Sequence, residues 1–177
     1  PAVEVLSRYG YPMVGRIRKG AVEGGDCWLL DEQTLVIGSG NRSTLRGIEE
    51  AGEIMKPFGV EVIPVEFLAK WNHLDMIFSV VSERLALVSK DGCPEPFLKL
   101  LADRGWKTIQ LPLEDVLKTG CNVLSLGDDR VLSFEENVNV NGRLRALGFE
   151  VLDPPLREFT KMGGGPHCLT FELERDK

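Results

Sequence analysis

Phe58-Gly59-Val60-Glu61-Val62-Ile63-Pro64-Val65 sets a glycine between a helical segment and a strand-like run. Glycine accepts positive φ at little cost and so marks the residue just past a helix end. The same arrangement returns at Arg104-Gly105-Trp106 and Leu147-Gly148-Phe149. Extended runs follow, from Val60 to Val65, Trp106 to Leu111 and Phe149 to Leu152, and helical segments precede, over 43–57, 94–104 and 138–147. Ser43 is the expected N-cap of the first helix, and Pro94 falls in the first turn of the second. Ahead of each helix the pattern predicts a hairpin: Cys27–Leu30 with Thr34–Ile37, Met76–Val81 with Arg84–Val88, and Asn122–Leu126 with Arg130–Phe134.

The unit is strand, strand, helix, strand, with a period of about 45 residues, the mark of an architecture in which each unit buries its apolar face against the next. Three full units are expected. A fourth is expected to open with an alternating strand, Cys168-Leu169-Thr170-Phe171-Glu172-Leu173, with no helix after it. Pro1-Ala2-Val3-Glu4-Val5-Leu6 reads as the helix or strand of a unit whose start is absent. The expectation is the C-terminal part of a longer polypeptide.

With 177 residues, 43% of them hydrophobic, the chain suffices for one core, and its length fits a single domain over 1–177. A net charge of −6 argues against a nucleic-acid or anionic-membrane partner. No apolar run approaches the ~20 residues of a membrane span and no basic-then-apolar leader opens the chain, so a soluble cytoplasmic protein is expected. Cys27, Cys93, Cys121 and Cys168 are widely spread with no C-x-x-C pair, which fits reduced thiols.

Three motifs fall where units begin. Glu23-Gly24-Gly25-Asp26 precedes the first strand of unit one, and His73-Leu74-Asp75 precedes that of unit two. Gly163-Gly164-Gly165-Pro166-His167-Cys168 leads into unit four. In a ring of like units these points share one end of the axis, so a cysteine nucleophile, a histidine acid/base and carboxylates able to hold a cation can meet. By strand alternation Asp75 lies on the same side as His73, and His167 points away from Cys168 in a structural role. Thr119-Gly120-Cys121-Asn122, the equivalent point of unit three, carries no acid or histidine and is expected to shape the pocket without supplying chemistry.

The ordered series E-G-G-D, H-L-D and G-G-G-x-H-C, running through essentially the whole chain, resembles the guanidine-modifying superfamily of arginine deiminases, dimethylarginine dimethylaminohydrolases, agmatine deiminases and amidinotransferases. That resemblance implies a pentein-type α/β propeller, fivefold in the family and here incomplete at about three and a half ββαβ units. It implies Cys168 as nucleophile and His73 as general acid/base. Glu23 and Asp75 hold the guanidinium, Glu23 counting with the catalytic group. Asp26 is a further candidate for the substrate. Arg42, in Gly38-Ser39-Gly40-Asn41-Arg42-Ser43-Thr44, matches an arginine that helps deiminases bind the substrate α-carboxylate. The family also grips the guanidinium with an aspartate from its first units. No residue of this chain takes that role, so the missing units are expected from the same polypeptide or a cleaved companion chain.

The chemistry follows from the groups themselves. A planar cationic guanidinium is best held by carboxylates through charge-assisted bonds, and its charge favours thiolate beside it. Sulfur adds to the central carbon, the histidine protonates the departing amine, and water then releases a ureido product from a covalent thiouronium. No cofactor or metal is required, and the spacing of His73, Asp75, His167 and Cys168 matches no common zinc pattern. Gly38-Ser39-Gly40 lacks the lysine and spacing of a P-loop. Cys27, Cys93 and Cys121 are expected to pack as small hydrophobes. An amine acceptor in place of water makes an amidinotransferase, and a pocket that binds guanidines without turnover is the third alternative. Glu23, where amidinotransferases tend to carry aspartate, leans toward hydrolysis. A homo-oligomer stays open.

Overall fold

The computed structural model describes residues 2–173. Helix α1 (Ala2–Arg8) takes the place of the expected N-terminal helix or strand; Pro1, which begins that stretch, lies outside the described residues. Three units of the same build follow. In the first, β1 (Cys27–Asp31) and β2 (Thr34–Ser39) form an antiparallel hairpin, α2 (Leu45–Met55) crosses over, and β3 (Glu61–Glu66) returns parallel to β2. The second repeats this with β4 (Phe78–Ser82), β5 (Leu85–Ser89), α3 (Glu95–Asp103) and β6 (Lys107–Leu111). A short helix, α4 (Leu113–Val116), leads to the third: β7 (Leu124–Gly127), β8 (Arg130–Leu132), α5 (Val138–Ala146) and β9 (Glu150–Leu152), after which α6 (Arg157–Thr160) is the last helix among the described residues. Each unit is thus a three-stranded sheet with its second strand in the middle.

The repeat extends to fine detail. The three helix-ending glycines take φ of 71° at Gly59, 76° at Gly105 and 95° at Gly148. Each hairpin slips register once, between Leu29 and Asp31, Val80 and Ser82, and Ser125 and Gly127, so every first strand carries the same local twist. Helix α2 starts one residue later than the sequence suggests: Thr44 Oγ1 caps it by accepting from the Gly47 N–H at 3.1 Å, while the Ser43 hydroxyl is turned toward Asp26. Pro94 is the N-cap of α3.

The first strands meet in the middle. β4 lies against β1 on one side and β7 on the other. Phe78, fully buried, meets Trp28 of β1 edge-on at 5.5 Å and 84° and Phe97 of α3 at 4.9 Å and 71°. Ser79 Oγ donates to the Val123 carbonyl at 3.2 Å. At the other end of the strands Arg104, at the close of α3, reaches back to unit one, where Nη1 donates to Thr34 Oγ1 (2.7 Å) and Nη2 to Glu61 (2.9 Å). The main core runs through all three units, and a smaller one gathers Ile48 and Ala51 of α2 on Ile37.

The expected fourth strand does not form. Residues 166–169 make a turn, with the Leu169 N–H donating to the Gly165 and Pro166 carbonyls and the Thr170 N–H to the His167 carbonyl, each at 3.2 Å. Among the described residues no strand lies beside Cys168–Leu173, and an extended run without a partner gains no ladder bonds. No described helix is long and apolar enough to cross a membrane.

Because Phe78 joins two first strands and a helix, Phe78→Ala is expected to lower stability by about 4 kcal/mol. The shift of the urea unfolding midpoint measures it.

Candidate active site

β1, β4 and β7 lie side by side, so the turns that lead into them lie side by side as well. Gly24–Asp26 and Leu74–Met76 are single 3-10 turns, each just ahead of its strand. Asp26, with no exposed surface, locks the two together: Oδ1 accepts the Leu74 N–H at 2.8 Å and Oδ2 the Ser43 hydroxyl at 2.5 Å. Ser43 Oγ in turn accepts the Glu23 N–H at 3.0 Å. Burial pushes the Asp26 carboxyl above its ordinary value, against the hydrogen bonds from Ser43 and Leu74. With both oxygens engaged by the protein, Asp26 sits as a tie between turns; the sequence candidate for substrate contact is a structural one in this geometry.

Glu23 stands at the mouth of the same turn and takes two partners. Its Oε2 lies 2.7 Å from His73 Nε2, and Arg42 grips it with Nη2 at 2.8 Å and Nε at 3.0 and 3.1 Å. The bonds from Arg42, then from His73, hold the Glu23 carboxyl below its usual range, so it stays an anion. Arg42 is therefore turned onto Glu23 here, rather than outward toward a substrate carboxylate.

Asp75 is 1% exposed, and its Oδ2 receives two donors: His167 Nδ1 at 3.0 Å and the Cys168 thiol at 3.3 Å. Its Oδ1 is buried with no hydrogen-bond partner. His73 and Asp75 are neighbours across Gly25, where a Cβ would come within 2.9 Å of His73 Cγ and 3.1 Å of Asp75 Oδ2. They meet in a 3-10 turn, not through strand alternation. The alternation expected at His167 and Cys168 fails for the same reason as the fourth strand: in a turn, consecutive side chains can converge, and both reach Asp75. His167 also stacks on Trp28 at 4.2 Å with the planes 14° apart.

Asn122 lies in the stretch expected to shape the pocket without supplying chemistry, and its contact with the thiol was not foreseen from the sequence. Its Nδ2 donates to Cys168 Sγ at 3.0 Å, and its Oδ1 accepts the N–H groups of Gly165 (3.0 Å) and Cys168 (3.1 Å). A Cβ on Gly165 would lie 2.5 Å from the Asn122 carbonyl, so the glycine run lets the cysteine loop close on unit three. The signal was present: counted from the register slip of each hairpin, Asn122 occupies in the third unit the position that Asp26 occupies in the first, and an amide holds a thiol and a backbone loop without adding charge.

The Cys168 side chain is accessible to solvent, yet lost hydration and then the Asp75 charge push its thiol up to about 11. A low value in the free protein is thus not what this geometry provides. Burial pushes Cys27 to about 11 and Cys93 to about 12 and raises Cys121 well above its ordinary value, which leaves these thiols protonated. Among the described residues no three His, Cys, Asp or Glu side chains gather to hold a metal ion.

A family model described as N,N dimethylarginine dimethylhydrolase, eukaryotic, matches residues 11–175. The chain belongs to the guanidine-modifying superfamily. The uncharacterized protein YkgA of Bacillus subtilis is 29% identical over 160 residues, covering 90% of this chain and 54% of that protein. The arginine deiminase of Mycoplasma capricolum is 28% identical over 194 residues, covering 90% of this chain and 48% of the deiminase. The chain spans about half the length of these curated relatives. In fold it is similar to the product-bound N-terminal domain of ArgZ, an arginine dihydrolase from the ornithine-ammonia cycle in cyanobacteria, with a TM-score of 0.81 at 23% identity over 97% of this chain and 64% of that one.

Three outcomes follow from the geometry. Alkylation of free Cys168 by neutral iodoacetamide should climb with pH without levelling by pH 10, since the thiolate fills only as pH nears about 11. Asp75→Asn should move that profile down in pH by at least ~1 unit, a tenfold gain in thiolate at pH 8. Asn122→Ala frees the cysteine loop and leaves two N–H groups unpaired, for an expected loss of about 2 kcal/mol; chemical unfolding measures it.

Proposed function

We propose that the protein is a cysteine-dependent hydrolase of the guanidinium group of arginine or an arginine derivative such as dimethylarginine. The observation that carries this is the Cys168 thiol lying against Asp75, a buried carboxylate with one oxygen unpartnered. A buried anion short of donors is unfavourable until a cation with N–H groups arrives, and a guanidinium supplies both. Neutralising Asp75 also removes a charge that holds the proton on Cys168, so the substrate itself activates the nucleophile.

In the proposed sequence the guanidinium lies between Asp75 and Glu23, displacing Arg42 from Glu23 and freeing Arg42 for the carboxylate end of the substrate. The Cys168 sulfur bonds to the central carbon, the thiol proton passes through His73 to the departing amine, and the carbon–nitrogen bond breaks to leave a thiouronium. Glu23 beside His73 Nε2 offsets the charge on the ring while it carries the proton. Water then adds to the same carbon as His73 takes its proton, and the carbon–sulfur bond breaks to give a ureido product. Glu23 in place of aspartate supports water over an amine as acceptor. Further ββαβ units, from the same polypeptide or a companion chain, would close the ring as a pentein-type propeller and bring the remaining guanidinium contacts. Unpaired thiols suit a reducing cytoplasm.

The test is intact-mass and peptide mapping of the full protein after 2-chloroacetamidine, with iodoacetamide as the neutral control. Selective cationic labelling of Cys168, blocked by arginine, is expected, together with loss of guanidine hydrolysis by at least ~1,000-fold in Cys168→Ala. Full activity in that variant would rule out the covalent route, and labelling without any turnover would favour a guanidine-binding protein.

A further inference from the structure

Asp75 carries an asymmetry that the proposed chemistry uses but does not explain. Both of its donors, His167 Nδ1 and the Cys168 thiol, fall on Oδ2, while Oδ1 has none although the side chain is 1% exposed. A carboxylate rotates readily about its terminal torsion, since that well is broad. A weak thiol donor alone gives little to prevent Oδ1 and Oδ2 from sharing it. Something must hold the group with one oxygen spent and the other open.

Resting on the guanidine reading above, we propose that His167 is the positioning residue that holds Asp75 with Oδ1 open for the substrate guanidinium. The hydrogen bond from Nδ1 fixes Oδ2, and the ring making it is itself fixed. It lies flat on Trp28 at 4.2 Å, and Trp28, 8% exposed, is braced edge-on by fully buried Phe78. Rigidity thus passes from the core through two rings to a carboxylate. The turn at 166–169 completes the device, because it presents His167 and Cys168 to one oxygen from adjacent positions. His167 does not touch the reacting atoms; it acts through Asp75, so its loss should weaken recognition of the cation rather than the reactivity of sulfur.

Two substitutions separate the donor from the stack. His167→Phe keeps a ring on Trp28 and removes the donor; His167→Asn keeps a donor near the Nδ1 position and removes the stack. The readout is the ratio of second-order rates for Cys168 labelling by 2-chloroacetamidine and by iodoacetamide, in the full protein, with cooperative urea unfolding as the check of fold. His167→Phe should lower the ratio by at least ~10-fold, the effect of a lost hydrogen bond to a charged group, and raise KM for the guanidine far more than it lowers kcat. His167→Asn should stay within ~3-fold of the parent. A ratio unchanged in folded His167→Phe overturns the proposal, as does an equal loss in both variants, which would mean that the ring's bulk alone matters.

A second readout keeps the proposal testable if the guanidine reading itself fails, that is, if the parent shows no cationic preference. The titratable groups around Asp75 are His167 and Cys168 on Oδ2, His73 across Gly25, and Asp26 and Cys121 within range of its charge. With the His167 donor gone, the thiol alone faces the anion, so the pH profile of iodoacetamide alkylation should move upward in His167→Phe and not in His167→Asn. Identical profiles in the parent and His167→Phe overturn the positioning role whatever the ligand.

Discussion

The arrangement depends first on one buried carboxylate. Asp26 accepts a hydroxyl proton from Ser43 at the start of α2 and a backbone proton from Leu74 in the turn ahead of β4. Without a cation beside it, a carboxylate in that position is tolerable only while both donors are in place. The requirement fixes the distance between the lead-in turns of units one and two. Glu23, Gly25, His73 and Asp75 all hang on those turns, so their mutual geometry is settled by a residue that offers no oxygen to anything outside the protein.

The charges form two paired sets joined at Gly25. On one side Arg42 and His73 share Glu23; on the other His167 and Cys168 share Asp75. Each acid is partly satisfied from within, which lets the site exist empty without two naked anions side by side. Each retains capacity for a further donor: Glu23 through exchange with Arg42, Asp75 through Oδ1. Unit three enters through Asn122, a neutral group that touches the thiol without altering the charge balance.

Much of the fold was legible because its signals are local. A glycine past each helix and alternating runs on either side depend only on near neighbours, and the hairpins, crossovers and parallel returns fall within a few residues of their expected places. The grouping of Glu23, His73, Asp75 and Cys168 was legible through the repeat, which sets equivalent points at one end of the strands. What was not legible depends on partners distant in sequence. Cys168–Leu173 alternates like a strand, but alternation cannot supply a neighbouring strand. Ser43 looks like a cap until Asp26 claims its hydroxyl. Asn122 looks inert until the glycine loop folds onto it, and the Cys168 thiol is shifted upward by burial and then by a carboxylate more than ninety residues away.

That upward shift has a bearing on how the Cys168 thiol survives while the site is empty. Peroxides attack thiolates far faster than thiols, and the ladder from sulfenic to sulfonic acid begins with that attack. A sulfur held protonated by lost hydration and by Asp75 in the empty site is therefore slow to oxidise, although it is reachable from solvent. Together with that burial, the carboxylate proposed to receive the substrate cation acts as a preservative for the thiol while no cation is there.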